Sequence, residues 1–94
     1  MDRNNAILLL SCPDQKGLVA RITEFVYRNN GNIISLNEHV DIESGIFFLR
    51  VEWDMNGFRF STSEVKVKLE KISQELNAYY QIHFDREKPA YAIF

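Results

Sequence analysis

The sequence has few of the residues on which catalysis and metal binding depend. It contains one cysteine, Cys12, and two histidines, His39 and His83, among 94 residues. A single cysteine forms no internal disulfide, which fits a reducing compartment, and we expect a cytoplasmic protein. The histidines fall in different predicted strands without a partnering motif, so we expect no metal and no cofactor in this chain. Cys12 ends a predicted buried strand, where a cysteine usually fills space rather than acting as a nucleophile.

Other absences exclude further classes of protein. No apolar run approaches the roughly 20 residues that cross a bilayer, and residues 1–5 lack the basic and apolar segments of a signal peptide. The four glycines are scattered, so the chain has no glycine-rich loop for phosphates. A formal charge of −2 provides no general attraction to phosphate groups. We therefore expect neither nucleic acid nor a membrane as a partner.

What is present predicts one globular domain. The chain is 46% hydrophobic and 26% charged, which is ordinary for such a domain. Residues 6–10 are continuously apolar, which is typical of a central strand buried on both faces. Pro13 ends that strand, and Asp14 is placed to cap the next helix. That helix is predicted from the spacing of Leu18, Ile22, Phe25 and Val26, and Gly31 is expected to end it in the left-handed conformation.

The rest of the chain predicts two more strands, a second helix and a last strand. Apolar residues at even positions from 34 to 42 indicate a half-buried strand, and Glu43-Ser44-Gly45 is a hairpin signal. In the next strand one face is apolar, and the other carries Ile46 and Phe48. Ser61 and Glu64 fit a capping box that begins the second helix. The apolar face of the third strand consists of Phe47, Leu49, Val51 and Trp53. The apolar stripe of the second helix consists of Val65, Leu69, Ile72 and Leu76. The last strand has Tyr80, Ile82 and Phe84 at its inner positions.

The order β-α-β-β-α-β predicts an α+β fold. Two helices that each bury one stripe must share one face of the sheet, and right-handed crossovers then favour a ferredoxin-like βαββαβ sandwich with a four-stranded antiparallel sheet. In this topology the second strand lies at an edge of the sheet, where it can pair with another chain.

Two other ferredoxin-like proteins fit the sequence poorly. An RNA-recognition motif stacks bases on aromatic residues of its third strand. Here Ser44 and Ile46 occupy the basic position and the first stacking position of that motif, which leaves only Phe48 as a platform. An acylphosphatase would bind phosphate in the first loop, where Asp14 would repel it. RNA binding is retained as the weaker alternative.

The loop between the first strand and the first helix is the best candidate for a binding site. Gly17 has no side chain, so a ligand can approach the backbone at the first turn of the helix. The N–H groups there, with the helix dipole, suit a carboxylate. The alternative is purely structural: Asp14 caps the helix, and Gly17 permits a tight turn.

With this loop and topology, the chain resembles the ACT domain and, more narrowly, the N-terminal ACT domain of the formyltetrahydrofolate deformylase family. The matching segments are Cys-Pro-Asp-Gln-Lys-Gly-Leu-Val-Ala-Arg-Ile-Thr (residues 12–23), Gly-Asn-Ile-Ile (31–34), Val-Asp (40–41) and Gly-Ile-Phe-Phe-Leu-Arg (45–50). The resemblance implies an ACT-type regulatory domain over residues 1–85. It also implies that residues 86–94 are a linker and the start of a catalytic domain. An apolar run at residues 90–94 that packs back as an extra edge strand is the alternative.

The resemblance also implies a function for the whole protein. Members of the family hydrolyse 10-formyltetrahydrofolate to formate and tetrahydrofolate for purine biosynthesis, in a formyltransferase-like domain that this chain lacks. The 94 residues are therefore expected to catalyse nothing alone, and the parent protein is expected to be a hydrolase.

ACT domains commonly bind an amino acid effector, often across a dimer interface. Carried onto this chain, the resemblance implies a ligand site made of the first loop and the start of the second strand. Its residues are Asp14, Gln15, Gly17, Leu18, Asn32, Ile33 and Ile34. The implied partners are an amino acid such as glycine or methionine, a second copy of the chain and the catalytic domain. A structural assembly domain without ligand binding is the alternative.

Overall fold

The computed structural model describes residues 3–86, so the run predicted at residues 90–94 lies outside the described residues. The elements are β1 (Asn5–Pro13), α1 (Leu18–Arg28), β2 (Asn32–Asp41), β3 (Ile46–Asp54), α2 (Thr62–Leu76) and β4 (Tyr79–Phe84). The strands form one antiparallel sheet in the order β2-β3-β1-β4. The predicted ferredoxin-like fold is confirmed, with β1 in the interior of the sheet and β2 at its edge.

The core lies between the two helices and one face of the sheet. Trp53, its largest fully buried side chain, packs on β3 beside Val51 and Leu49. The other core residues come from β1, from both helices, and from one further position each in β3 and β4. They are Ala6, Leu8, Leu10, Cys12, Leu18, Ile22, Phe25, Val26, Phe47, Val65, Leu69, Ile72 and Phe84. Neither helix of the described segment has the length and apolarity to cross a bilayer.

The prediction that β1 is buried on both faces is wrong. Its even residues are buried, but Leu9 is 38% exposed and Ile7 is only half-buried. Both point to the sheet face opposite the helices, which we call the open face. The continuous apolar run thus indicates an interior strand with a neighbouring strand on each side, but it does not indicate that a second layer covers the sheet.

The end of α1 also differs from the prediction, because Asn30 rather than Gly31 is left-handed. Asn30 has φ 66°, and its side-chain Nδ2 donates to the Gly57 carbonyl oxygen at 2.9 Å. Asparagine tolerates this conformation better than most residues. Gly31 is required for space instead: a β-carbon there would lie 2.6 Å from Val26 Cγ1 and 2.9 Å from the Val26 carbonyl oxygen.

The strand β2 contains a bulge that sequence alternation did not show. Ile33 pairs with Trp53 and Ser35 with Glu52, so Ile34 is an extra residue. Ile33 therefore packs against the core, while Ile34 is 50% exposed. The prediction that Ile34 is buried is wrong, because the bulge shifts the alternation by one residue. Ile42 is 90% exposed and lies beyond the end of β2.

The predicted capping box at the start of α2 is confirmed. Ser61 Oγ accepts from the Glu64 backbone N–H, and Glu64 Oε1 accepts from the Ser61 backbone N–H. At the other end, Asn77 is left-handed, and its backbone N–H donates to Gln74 and Ser73 carbonyl oxygens. Both ends of α2 are thus set by the sequence near them.

A buried carboxylate ties the N-terminal segment to the open face of the sheet. Glu52 is 7% exposed, and its Oε2 accepts from Asn5 Nδ2 at 2.7 Å and Arg3 NH2 at 2.9 Å. The hydrogen bond from Asn5, and then the charge and hydrogen bond of Arg3, hold the pKa of Glu52 below its ordinary value of 4.5, against the opposing effect of burial. Asp85 follows the end of β4, and its Oδ2 accepts a hydrogen bond from the Asn5 backbone N–H at 3.1 Å.

We expect Gly31→Ala to lower the free energy of unfolding by about 1–3 kcal/mol, because the new methyl group overlaps a backbone oxygen that cannot rotate away. Urea unfolding measures this change. Asn30→Gly is the matched control: it keeps the left-handed conformation, loses one exposed hydrogen bond, and should cost less than about 1 kcal/mol. Equal stability of Gly31→Ala and the wild type would contradict the close approach.

We expect Glu52→Gln to remove a pH-dependent part of the stability. Because the folded pKa of Glu52 is lowered, its charged form stabilises the fold above about pH 4.5, and this contribution is lost as the pH falls through the lower folded value. At pH 7 the variant should be less stable by about 2 kcal/mol, and the difference should shrink towards pH 3. Urea unfolding between pH 7 and pH 3 measures it, and a difference independent of pH would contradict the assignment.

Candidate functional site

The loop between β1 and α1 is held in place from two sides. The Asp14 backbone N–H donates to the Gly45 carbonyl oxygen at 2.9 Å, which attaches the loop to the β2–β3 hairpin. Gln15 Nε2 donates to the Pro13 and Leu76 carbonyl oxygens, each at 3.3 Å, which attaches it to the end of α2. The exposed loop is therefore anchored on both sides, although the side chains of Asp14, Gln15 and Lys16 are exposed.

The prediction that Asp14 caps α1 is wrong, because the N-cap is Gly17. Gly17 is left-handed with φ 82°, and within residues 3–86 no side chain accepts a hydrogen bond from the first turn as a cap. A β-carbon at Gly17 would meet nothing within 4 Å. The backbone conformation alone accounts for this glycine, and the space beside it is open to a small molecule. The Leu18 side chain is buried in the core, so Leu18 offers a ligand only its backbone.

The second half of the predicted site lies at the other end of the sheet. Pro13, where the loop begins, pairs with Ile46, whereas Asn32 pairs with Asp54. These two partners are the ends of β3, and eight strand rises separate them by about 26 Å. Within one chain the structure brings Asp14, Gln15, Gly17 and Leu18 together, and it separates them from Asn32, Ile33 and Ile34. Sequence reasoning missed this separation because it depends on the pairing directions of three strands.

The loop nevertheless lies next to the edge strand. Gly45 accepts from the Asp14 backbone N–H, and its own N–H donates to the Asp41 carbonyl oxygen at 2.8 Å. Asp41 is the last residue of β2. One end of the exposed edge strand is therefore beside the loop, and Asn32 begins the other end. Asn32 and Ile34 are exposed there, and Ile33 is half-buried.

The titratable groups near the loop do not form a reactive centre. Cys12 is 3% exposed, and burial, followed by the negative charge of Asp14, raises the pKa of its thiol above 9.0. The thiol is thus protonated at neutral pH and serves as packing. In the part of the chain that the structure describes, no three His, Cys, Asp or Glu side chains are grouped as a metal site would require.

Sequence reasoning did not identify a groove on the open face. It has a volume of about 530 Å³, and its floor is β1, with Leu9 and Ser11 between Phe48 on one side and Tyr79 on the other. The exposed position of Phe48 was predicted, but the neighbouring β4 strand was not placed beside β1 by any local pattern.

Comparison with known proteins agrees with the fold. The family described as "ACT domain" matches residues 6–74. The chain is 44% identical over 94 residues to a formyltetrahydrofolate deformylase of Synechocystis sp. and covers 33% of that protein. It is 34% identical over 88 residues, 93% of this chain, to one of Bacillus subtilis and covers 29% of it. The crystal structure of a formyltetrahydrofolate deformylase from Pseudomonas syringae superposes with a TM-score of 0.87 and 27% identity, over 94% of this chain and 30% of that one.

The chain thus spans about a third of the length of the curated relatives that it matches. The segment in common is their N-terminal part. The predicted resemblance is confirmed by these matches.

Proposed function

This chain belongs to the ACT domain family, and we propose that it is the regulatory domain of a formyltetrahydrofolate deformylase, which senses an amino acid and assembles with a second copy. The hydrolysis of 10-formyltetrahydrofolate would then take place in a catalytic domain outside these 94 residues. The identity to named deformylases over 88 to 94 residues supports this assignment.

The arrangement of the edge strand supports a site built from two chains. If the β2 strands of two copies pair in the antiparallel direction, Asn32 of one copy lies beside the end of β2 in the other. That end is tied to the loop through Gly45 and Asp41. The two halves of the site, about 26 Å apart in one chain, then meet across the seam, which is the contact between the two paired β2 strands. A C2 interface of this kind produces two identical sites.

The exposed apolar residues of β2 favour this pairing. Ile34 is 50% exposed and Val40 is 37% exposed, near opposite ends of the same strand. Antiparallel pairing sets Ile34 of one copy beside Val40 of the other, so both lose contact with water. Among the described residues no strand pairs with the outer edge of β2, and its backbone groups there also gain partners.

The chemistry of the two halves is complementary to an amino acid. The Asp14 carboxylate can accept from the ligand's ammonium group. The Gly17 and Leu18 N–H groups, at the uncapped first turn of α1, can donate to its carboxylate. From the second copy, the Asn32 amide can bind either group, and Ile33 and Ile34 supply apolar contact. Lys16, exposed in the loop, adds attraction for the carboxylate.

The observation that carries this proposal is the placement of the loop and of Asn32 at opposite ends of one exposed edge strand. A purely structural assembly domain would use the same seam without a ligand. The two functions differ in whether an amino acid stabilises the chain.

We expect an amino acid effector to raise the melting temperature of the 94-residue chain. A free ligand at about 100 times its dissociation constant adds about 2.7 kcal/mol, which corresponds to a shift on the order of 10 °C for a domain of this size. Glycine and methionine are tested first, followed by the other common amino acids. Asp14→Asn, which keeps the side-chain shape and removes the charge, should abolish most of the shift.

Glu43→Gln is the matched control, because it removes one exposed carboxylate from the neighbouring hairpin and should leave the shift unchanged. Absence of a shift with every common amino acid would leave assembly as the function. An equal shift in Asp14→Asn would exclude the loop as the site.

We expect Ile34→Lys to weaken self-association at least about tenfold. The substitution buries a charge in the proposed seam twice, once for each copy, and removes an apolar contact. Sedimentation equilibrium measures the dissociation constant. Val67→Lys is the control, since Val67 is 69% exposed on α2, away from β2. If Ile34→Lys associates as strongly as the wild type, β2 is not the seam.

A further inference from the structure

The open face of the sheet carries a regular set of side chains that the loop site does not use. Because directly paired residues of antiparallel strands share a face, the register defines rows across all four strands. One row consists of His39, Phe48, Ser11 and Tyr79. The next row consists of Asn37, Arg50, Leu9 and Gln81. The groove of about 530 Å³ is lined by both rows.

The first row forms a slot for a flat ring. Phe48 is 45% exposed and Tyr79 is 84% exposed, and the small Ser11 lies between them. The two aromatic residues are two strand spacings apart, about 9.6 Å, which leaves room for one planar ring. His39 lies against the outer side of Phe48, with ring centroids 6.3 Å apart and planes inclined by 24°, so it supports that wall.

The second row places a cation and two amides beside the slot. Arg50 lies two residues along β3 from Phe48, about 7 Å away. Its contacts within the chain are long: NH1 donates to Ser35 Oγ at 3.2 Å, and NH2 is 3.5 Å from Glu52 Oε1. The charge of Glu52 is already matched by Arg3 at 2.9 Å. Arg50 therefore retains donors for an incoming carboxylate. The Asn37 amide lies directly beside it on β2, and the Gln81 amide lies on β4, beyond Leu9.

We propose that this groove binds a planar heteroaromatic ligand whose arm ends in a carboxylate, with its ring between Phe48 and Tyr79 and its carboxylate at Arg50. The volume of the groove falls in the range of sites for small molecules, about 300–1,000 Å³. A free amino acid without a ring would leave the aromatic walls unused. A single-stranded nucleic acid would need several cations for its phosphates, and these two rows contain one arginine and no lysine.

Folic acid is a suitable probe, because it combines a planar heteroaromatic ring with a carboxylate arm, and the relatives' names refer to formyltetrahydrofolate. The inference depends on the proposed function only in this choice of probe. If no amino acid stabilises the chain, the proposal for the groove is unaffected. If folic acid does not bind the groove, the proposal for the two-chain site is unaffected.

The experiment titrates folic acid into the 94-residue chain by calorimetry and by amide NMR. We expect amide shifts in the two rows, and binding about tenfold weaker in Phe48→Ala and in Tyr79→Ala, because each loses one stacking face. Tyr79 is almost fully exposed, so Tyr79→Ala retains the fold even if Phe48→Ala is less stable. Val67→Ala, an exposed apolar residue on α2, is the matched control and should bind as the wild type does.

A second comparison tests the cation. Arg50→Gln should weaken folic acid binding and remove its dependence on salt, but should leave the binding of pterin, the ring without the arm, unchanged. The proposal is overturned by the absence of heat and shifts at millimolar folic acid, by equal affinities of both alanine variants and the wild type, or by shifts confined to residues 14–18. Tighter binding of an oligouridylate than of folic acid would overturn it in favour of RNA. Loss of self-association in the alanine variants would assign the face to a second copy instead.

Discussion

The antiparallel pairing of β3 with both β1 and β2 is the constraint on which the other features of this domain depend. Because β3 runs opposite to both neighbours, β1 and β2 run in the same direction. The loop that follows β1 and the residues that begin β2 must therefore lie at opposite ends of the sheet. Within residues 3–86 the same pairing leaves one side of β2 without a neighbouring strand, and this edge connects the two ends.

A second consequence concerns the faces of the sheet. The crossovers place both helices on one face, where Trp53 and its neighbours exclude water. The opposite face keeps apolar and aromatic side chains in contact with solvent, among them Leu9 and Phe48. One sheet thus provides two separate surfaces, the edge that we propose for a second copy and the groove that we propose for a flat ligand. The hydrogen bonds to Glu52 fasten Arg3 and Asn5 to this open face.

Local sequence rules succeeded where one short segment decides the outcome. The capping box of Ser61 and Glu64 depends on atoms three residues apart, and the hairpin at Gly45 depends on a left-handed residue with φ 70°. They failed where a distant residue competes. Gly31 was predicted as left-handed, but the nearness of Val26 and Phe58 requires a glycine there for space. Asp14 was predicted to cap α1, but the left-handed Gly17 is the N-cap, and the Asp14 backbone N–H donates to the hairpin at Gly45.

By itself the sequence determined the element order, the inner face of each helix, the interior position of β1 and the resemblance to ACT domains. These follow from periodicity and from short motifs, which are properties of neighbouring residues. Only the tertiary structure decided the bulge at Ile34, the exposure of Leu9 and the separation of Asn32 from the loop. Each of these depends on which strand lies beside which and in what direction, and residues far apart in the chain fix that pairing through the core they share.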